Sequence, residues 1–277
     1  MRTFKLYDND GNVYDLTAKG ELFFYGVESL GYTQEAKFQR IADRFAILEN
    51  NMAQAKIKGT IRFWQPNAEL SYFTFSQFCQ NKPLRMEYNP GHGVFSRDGY
   101  ITQIKRSDGK DKALTIEIEF SASTPWYKLV SEYNSGEVTE GKKYNYTYDY
   151  SYSNAVQGSV IVDSDSFQSS PVKLVIFGEV VNPTWRYYLN NVLQVEGKIN
   201  GTILPNNRLI IDTTSIPYSI KQVDGQGNLV ADMYQQSDFS MDRFIRFGYG
   251  RNVISVTAEN VDVVNLGVEA QIEYATV

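Results

Sequence analysis

The chain has 277 residues, with 27 basic and 32 acidic side chains and a formal net charge of −5. Hydrophobic residues make up 42% and aromatics 14%, which supplies packed cores and excludes a wholly disordered chain. A single cysteine and a single histidine exclude an internal disulfide framework, a cysteine zinc cage and a histidine-rich metal site.

At this length one large domain or two medium ones are expected. No apolar run approaches the roughly 18 residues of a membrane helix, and residues 1–8 lack the apolar stretch of a signal peptide, so no membrane partner is expected. Residues 1–140 carry 17 basic and 18 acidic side chains, and residues 141–277 carry 10 and 14. Neither half offers the cationic surface that phosphate binding needs, which argues against sequence-specific nucleic acid.

In chain order, residues 4–7 and 13–16 flank Asp8-Asn9-Asp10-Gly11-Asn12. That reads as a hairpin, because Asp-Gly accepts the positive φ of a tight turn. Between 34 and 52, Phe38, Ile41, Phe45, Leu48 and Met52 recur at helical spacing behind Thr33 as N-cap, so the pattern alone predicts a helix. Residues 57–64 read as a strand. Residues 70–80 predict a second helix, with Phe75, Phe78 and Cys79 on one apolar stripe and Pro83 beyond its end. Cys79 reads as a small buried hydrophobe, since no histidine stands near to activate it.

Residues 100–105 and 113–120 flank Ser107-Asp108-Gly109-Lys110 and predict a long hairpin. Leu114, Ile116, Ile118 and Phe120 alternate strictly with Thr115, Glu117 and Glu119, which assigns one face to a core and the other to water or a partner. Lys105, Arg106, Lys110 and Lys112 around the turn read as its solvated rim.

Tyrosine is abundant, at 20 residues, and unevenly spread. Tyr144, Tyr146, Tyr148, Tyr150 and Tyr152 alternate with Asn145, Thr147, Asp149 and Ser151. Period two places all five rings on one side of an extended chain. The stretch is either an ordinary strand with an aromatic face or an extended connector whose rings dock on a neighbouring domain or subunit. Its soft polar flanks make residues 131–154 the candidate junction between a domain at 1–130 and another at 155–277. In the latter, apolar or alternating runs at 172–181, 208–212, 216–221, 253–258 and 268–274 are separated by Asn182-Pro183, Pro205-Asn206-Asn207 and Asp224-Gly225-Gln226-Gly227-Asn228. Many short strands with regular turns predict a β-sandwich.

No constellation of reactive side chains stands out, and no catalytic, cofactor-binding or metal-ligating residue is assigned. His92 sits in Asn89-Pro90-Gly91-His92-Gly93 with nothing to mark a serine or acid beside it. Gly225-Gln226-Gly227 lacks the third glycine and the helix of a dinucleotide loop. Asp163 and Asp165 lack the later ligands of a calcium loop. Trp64, Trp126, Trp185, Tyr187 and Tyr188 raise one alternative, a sugar-stacking platform, against the simpler reading that they fill cores and subunit interfaces.

Four stretches, taken together, resemble the distal tail proteins of siphophages that infect Gram-positive bacteria. The first is Lys58-Gly59-Thr60-Ile61-Arg62-Phe63, followed by Tyr72-Phe73-Thr74-Phe75-Ser76-Gln77-Phe78 and Pro83-Leu84-Arg85-Met86-Glu87-Tyr88. The second is Phe120-Ser121-Ala122-Ser123-Thr124-Pro125-Trp126-Tyr127, and the third the alternating tyrosines. The fourth runs from Ser170-Pro171-Val172 through Gly178-Glu179-Val180-Val181-Asn182-Pro183 and Arg208-Leu209-Ile210-Ile211-Asp212 to Gly248-Tyr249-Gly250-Arg251-Asn252-Val253-Ile254.

The resemblance implies a mainly β structural protein. Its N-terminal β-sandwich, with one helix and a long hairpin, forms a hexameric ring, and a galectin-like C-terminal β-sandwich projects outward. The implied site is the distal end of the virion tail, after synthesis in the host cytoplasm. The implied partners are further copies of the chain, the tail tube protein, the tail-associated tip protein and receptor-binding proteins. No cofactor and no enzymatic activity are implied. The alternative function is a carbohydrate-binding module for a cell-wall glycan. The resemblance also treats the region before Gly59 as strand and loop, which leaves 34–52 open between helix and strand. Residues 113–120, as an edge strand, are expected to pair with a neighbouring subunit.

Overall fold

The computed structural model describes residues 2–17, 22–64, 66–108, 113–134 and 158–277. The alternating tyrosines 144–152, and with them Lys110 and Lys112, lie outside the described residues. The chain divides into two compact units, Met1–Lys128 with Tyr274–Val277, and Leu129–Glu273.

The first unit contains strands β1 (Thr3–Asp8), β2 (Val13–Asp15), β3 (Leu22–Glu28), β4 (Gln34–Ile41), β5 (Arg44–Met52) and β6 (Lys56–Phe63). Helix α1 (Ala68–Cys79) follows, then β7 (Leu84–Asn89), β8 (Phe95–Asp108), β9 (Leu114–Ala122) and the start of β10 (Trp126–Asn134). Antiparallel pairing runs β2-β1-β7-β8-β9-β6-β3. The 14-residue β8 serves both halves of this sheet, pairing β7 up to Gly99 and β9 from Gly99 onward. The halves face each other across one core, where Phe4 of β1 meets Phe24 of β3 edge-on at 5.1 Å. Helix α1 adds Ala68, Phe75 and Cys79 to that core, while Phe78 of the expected stripe is only half-buried.

The strict alternation of β9 is realised as expected: Leu114, Ile116, Ile118 and Phe120 are all buried. The expectation that this strand forms an edge is not met. Residues of β9 pair with β6 on one side and β8 on the other, so its backbone groups are already used.

The second unit contains β11 (Ser159–Ser164), β12 (Ser170–Phe177), β13 (Val180–Val181), β14 (Thr184–Leu189), β15 (Val192–Lys198) and β16 (Thr202–Ile203). It continues with β17 (Arg208–Asp212), β18 (Ser219–Val223), β19 (Leu229–Asp232), β20 (Arg246–Phe247), β21 (Gly250–Thr257) and β22 (Leu266–Tyr274). One sheet takes the order β19-β18-β17-β12-β22 and the other β11-β21-β14-β15, both antiparallel. Inward residues alternate along the strands, as with Val160 and Val162, Trp185 and Tyr187, Ile254 and Val256. Strand β18 begins later than the apolar run suggested. Pro217 has no N–H to give to a ladder, and Ile216 before it is 94% exposed.

The 250-turn is locked by Asn252, which is wholly buried. Its amide nitrogen donates to the carbonyls of Val162, Gly248 and Gly250, and its oxygen accepts from Tyr187 Oη at 2.7 Å and from Gly248 N at 3.0 Å. Each polar atom of this buried amide is thereby satisfied.

Candidate assembly surface

Residues 34–52 are strands. β4 and β5 form a two-stranded sheet of their own that pairs with no other described strand. The chain reverses at Ala42-Asp43, where Ala42 takes φ 52° at the first turn position, a place that usually falls to glycine. Phe38 stands opposite Ile47 and Arg40 opposite Phe45, so Phe38, Phe45 and Ile47 share one face of the ribbon. A register shift at Lys37/Phe38 leaves Leu48 as the extra residue of a bulge. The helical spacing failed here because a helix keeps its stripe only if something packs over it, and nothing in the described chain does. Aromatic and β-branched residues favour the extended form when pairing across a turn is available.

Phe38, Ile41, Phe45, Ile47 and Leu48 are each 59–68% exposed. An isolated two-stranded ribbon is marginal in water, and Phe38, Phe45 and Ile47 exposed together on one face exceed a scattered surface background. Fully covering each of them would contribute about 1.5–3 kcal/mol.

Two neighbouring features of this unit share that character. β3 pairs only with β6 and leaves its outer edge open among the described strands. On its outward side Phe23 stacks on Tyr25 at 5.6 Å, and both are exposed. Phe23 stands opposite Arg62 in register, and Arg62 lies 4.4 Å over the half-exposed Trp64 ring. On α1, Leu70 and Phe73 point to solvent one turn apart.

The polar surface behaves differently. A cleft of about 510 Å³ is lined by Tyr7, Asp8, Arg85, Glu87 and Asp98, but its charges are already engaged. Asp8 accepts from Lys82 Nζ at 2.6 Å and from Asn12, which holds its carboxyl well below the usual carboxylate range. Asp98 accepts from Arg85 Nε at 3.2 Å and from Tyr127 Oη at 2.8 Å. Burial and the neighbouring Glu87 push the Tyr7 phenol up to about 12. The cleft is a closed network rather than a reactive one.

Residues 3–123 match the family model described as distal tail protein, N-terminal domain. That stretch of the chain is a distal tail protein N-terminal domain. No match is found among curated protein sequences. Among solved structures, the chain is similar over its whole length to a whole chain of the phage P2 baseplate in its activated conformation with Ca, with a TM-score of 0.64 and 14% identity. The strontium form of that baseplate gives the same values. The SPP1 Dit (gp 19.1) protein, described as a paradigm of the hub adsorption apparatus in Gram-positive infecting phages, matches at TM-score 0.62 and 11% identity, with 96% of this chain and 98% of that chain covered. At these identities the structural likeness speaks for the fold.

The residues singled out from sequence take structural places. Trp126, Trp185 and Tyr187 are buried, and each indole N–H is satisfied: Trp126 Nε1 donates to Leu30 O at 2.9 Å and Trp185 Nε1 to Arg243 O at 3.0 Å. Trp64 and Tyr188 are the more accessible two, one in each unit. Cys79 is buried, and burial pushes its thiol up to about 12, far from a nucleophile's range. His92 is exposed in a loop, edge-on to Phe95 at 5.8 Å. Arg106 grips Glu69 of α1 through both terminal nitrogens, at 2.7 and 3.1 Å, and lies 5.3 Å from the Tyr72 ring. Its charge fastens the helix to β8. Asp163 faces Arg251 across β11 and β21. Sequence reasoning missed the exposure of the ribbon, since hydrophobic periodicity marks which residues share a face but not whether that face is covered.

Proposed function

We propose that the chain is a distal tail protein and the hub of a phage tail tip, assembling as a hexameric ring that links the tail tube to the tail-associated tip protein and to receptor-binding proteins. Residues 1–130 build the ring, residues 131–154 connect, and residues 155–277 project as a galectin-like β-sandwich. The chain acts as a structural part and not as an enzyme, and it resides at the distal end of the virion tail after synthesis in the host cytoplasm. The observation that carries the reading is the β4–β5 ribbon: five large apolar side chains, each 59–68% exposed, on a sheet paired with no other described strand. A lateral contact between copies is the arrangement that buries such a surface repeatedly around a closed ring. The match of residues 3–123 to the distal tail protein N-terminal domain supports it, as does the likeness in fold to a baseplate chain and to a hub protein. The test is electron microscopy of the purified full chain, alone and mixed with its tail tube protein. Six-fold rings in either sample are expected; single particles of one chain in both would overturn the proposal.

A further inference from the structure

The ribbon β4–β5 pairs with no other described strand, yet both of its roots are tied to the body of the first unit. At the entering root, β3 shifts register between Tyr25 and Glu28, where Gly26 takes φ 61°, and the chain leaves the sheet through Ser29 at φ 64°. Leu30 lies beyond the end of β3, and its carbonyl accepts from Trp126 Nε1 at 2.9 Å. At the leaving root, Ala122 N donates to Ala55 O at 2.9 Å, one step past the β6–β9 ladder. The carbonyl of Ala122 accepts in turn from the side-chain amide of Gln54 at 3.1 Å. Between the roots, Ala53 N donates to Thr33 O at 2.8 Å and closes the base of the ribbon. At each root, then, a side-chain donor carries the hydrogen bonding past the end of a strand. Trp126 is itself held: it is wholly buried, Arg97 lies 4.8 Å from its ring centroid, and Tyr88 packs against it at 6.0 Å. Arg97 is 2% exposed, and its Nε and Nη1 find no acceptor among the described residues. Burial pushes its guanidinium down to about 10, so it stays charged at neutral pH and the indole face is left to answer that charge.

We propose that Trp126 and Gln54 are positioning residues for the ribbon. They set the direction in which β4–β5 leaves the first unit, and Arg97 steadies Trp126. Gln54 is exposed, so its side chain does not serve the core, and its bond to Ala122 O gives it this role. A ribbon held in one direction loses less conformational freedom on docking than one that swings about its roots. Closure of a ring also requires the same departure angle from every copy. That consequence rests on the ring reading, whereas the positioning itself is a property of one chain.

The test places spin labels at Asp43→Cys on the ribbon turn and at Asn9→Cys in the β1–β2 loop, both exposed, in the full chain diluted into excess unlabelled chain. Cys79 is buried and takes no label. The parent is expected to give one narrow distance distribution. Gln54→Glu keeps the size of the side chain and removes its donor; Trp126→Phe keeps a ring beside Arg97 and removes the indole N–H. Each is expected to widen the distribution. Gln54→Glu is also expected to speed exchange of the Ala122 amide about fivefold, the loss of one ordinary hydrogen bond, at the parent's melting temperature. A broad distribution in the parent overturns the proposal, as does a distribution that both variants leave unchanged. Wider distributions at an unchanged assembled mass uphold the positioning and count against the ribbon's part in the ring.

Discussion

Two hairpins of the first unit are built from similar residues and end in opposite environments. β8–β9 buries Leu114, Ile116, Ile118 and Phe120, and β6 pairs along the far side of β9. β4–β5 carries Phe38, Phe45 and Ile47 on one face, beside Arg40, and exposes all three. The difference lies in what covers the face. In β8–β9 the opposite half of the same sheet supplies the cover. In β4–β5 the described chain supplies none, so the same hydrophobic term that stabilises the first hairpin within one subunit is left to act between molecules.

That contrast is open to attack by mutation. The largest effect is expected from Phe120→Ala, which empties a wholly buried site in β9. It should destabilise the first unit by about 3–5 kcal/mol, read as a shifted denaturation midpoint. Phe45→Ala in the exposed ribbon should leave the midpoint of the single chain within about 0.5 kcal/mol. Equal losses from the two would erase the distinction between the hairpins.

A smaller loss is expected where β6 backs β9. A Cβ at Gly59 would come within 2.4 Å of the buried Phe24 ring, so Gly59→Ala should cost about 1–3 kcal/mol through overpacking. An unchanged midpoint would mean that β3 yields easily, and the open edge would be softer than described.

The smallest effect concerns pH. Lys82 first, and Asn12 second, hold the Asp8 carboxyl below its ordinary range. A depressed folded pKa contributes stability above the unfolded value of about 4, and that stability is lost as pH falls. The gap in melting temperature between the parent and Asp8→Asn should therefore narrow between pH 6 and pH 3. A constant gap would show that the carboxylate charge is irrelevant to the β1–β2 turn.

Much of the fold was legible because local pattern and final environment agreed. Leu114-Thr115-Ile116-Glu117-Ile118-Glu119-Phe120 states its two faces outright, Asp8 to Asn12 states a turn, and Phe75 with Cys79 states the buried side of α1. The ribbon at 34–52 was ambiguous for a physical reason. Phe38, Ile41 and Phe45 satisfy a helical period, and only pairing across Ala42-Asp43, a relation between distant side chains, makes them strands. For Trp126 and Trp185 the simpler reading, that large aromatics fill cores, is the one the structure shows, and both indoles are satisfied there.

The most direct test of the assembly surface is the solution mass of the full chain beside that of a Phe38→Ser, Phe45→Ser, Ile47→Ser variant, measured by light scattering at equal concentration. The ribbon's role predicts that the parent sediments as an assembly, up to six chains. It predicts that the variant has the mass of one chain at an unchanged melting temperature. The same mass for both proteins would contradict it.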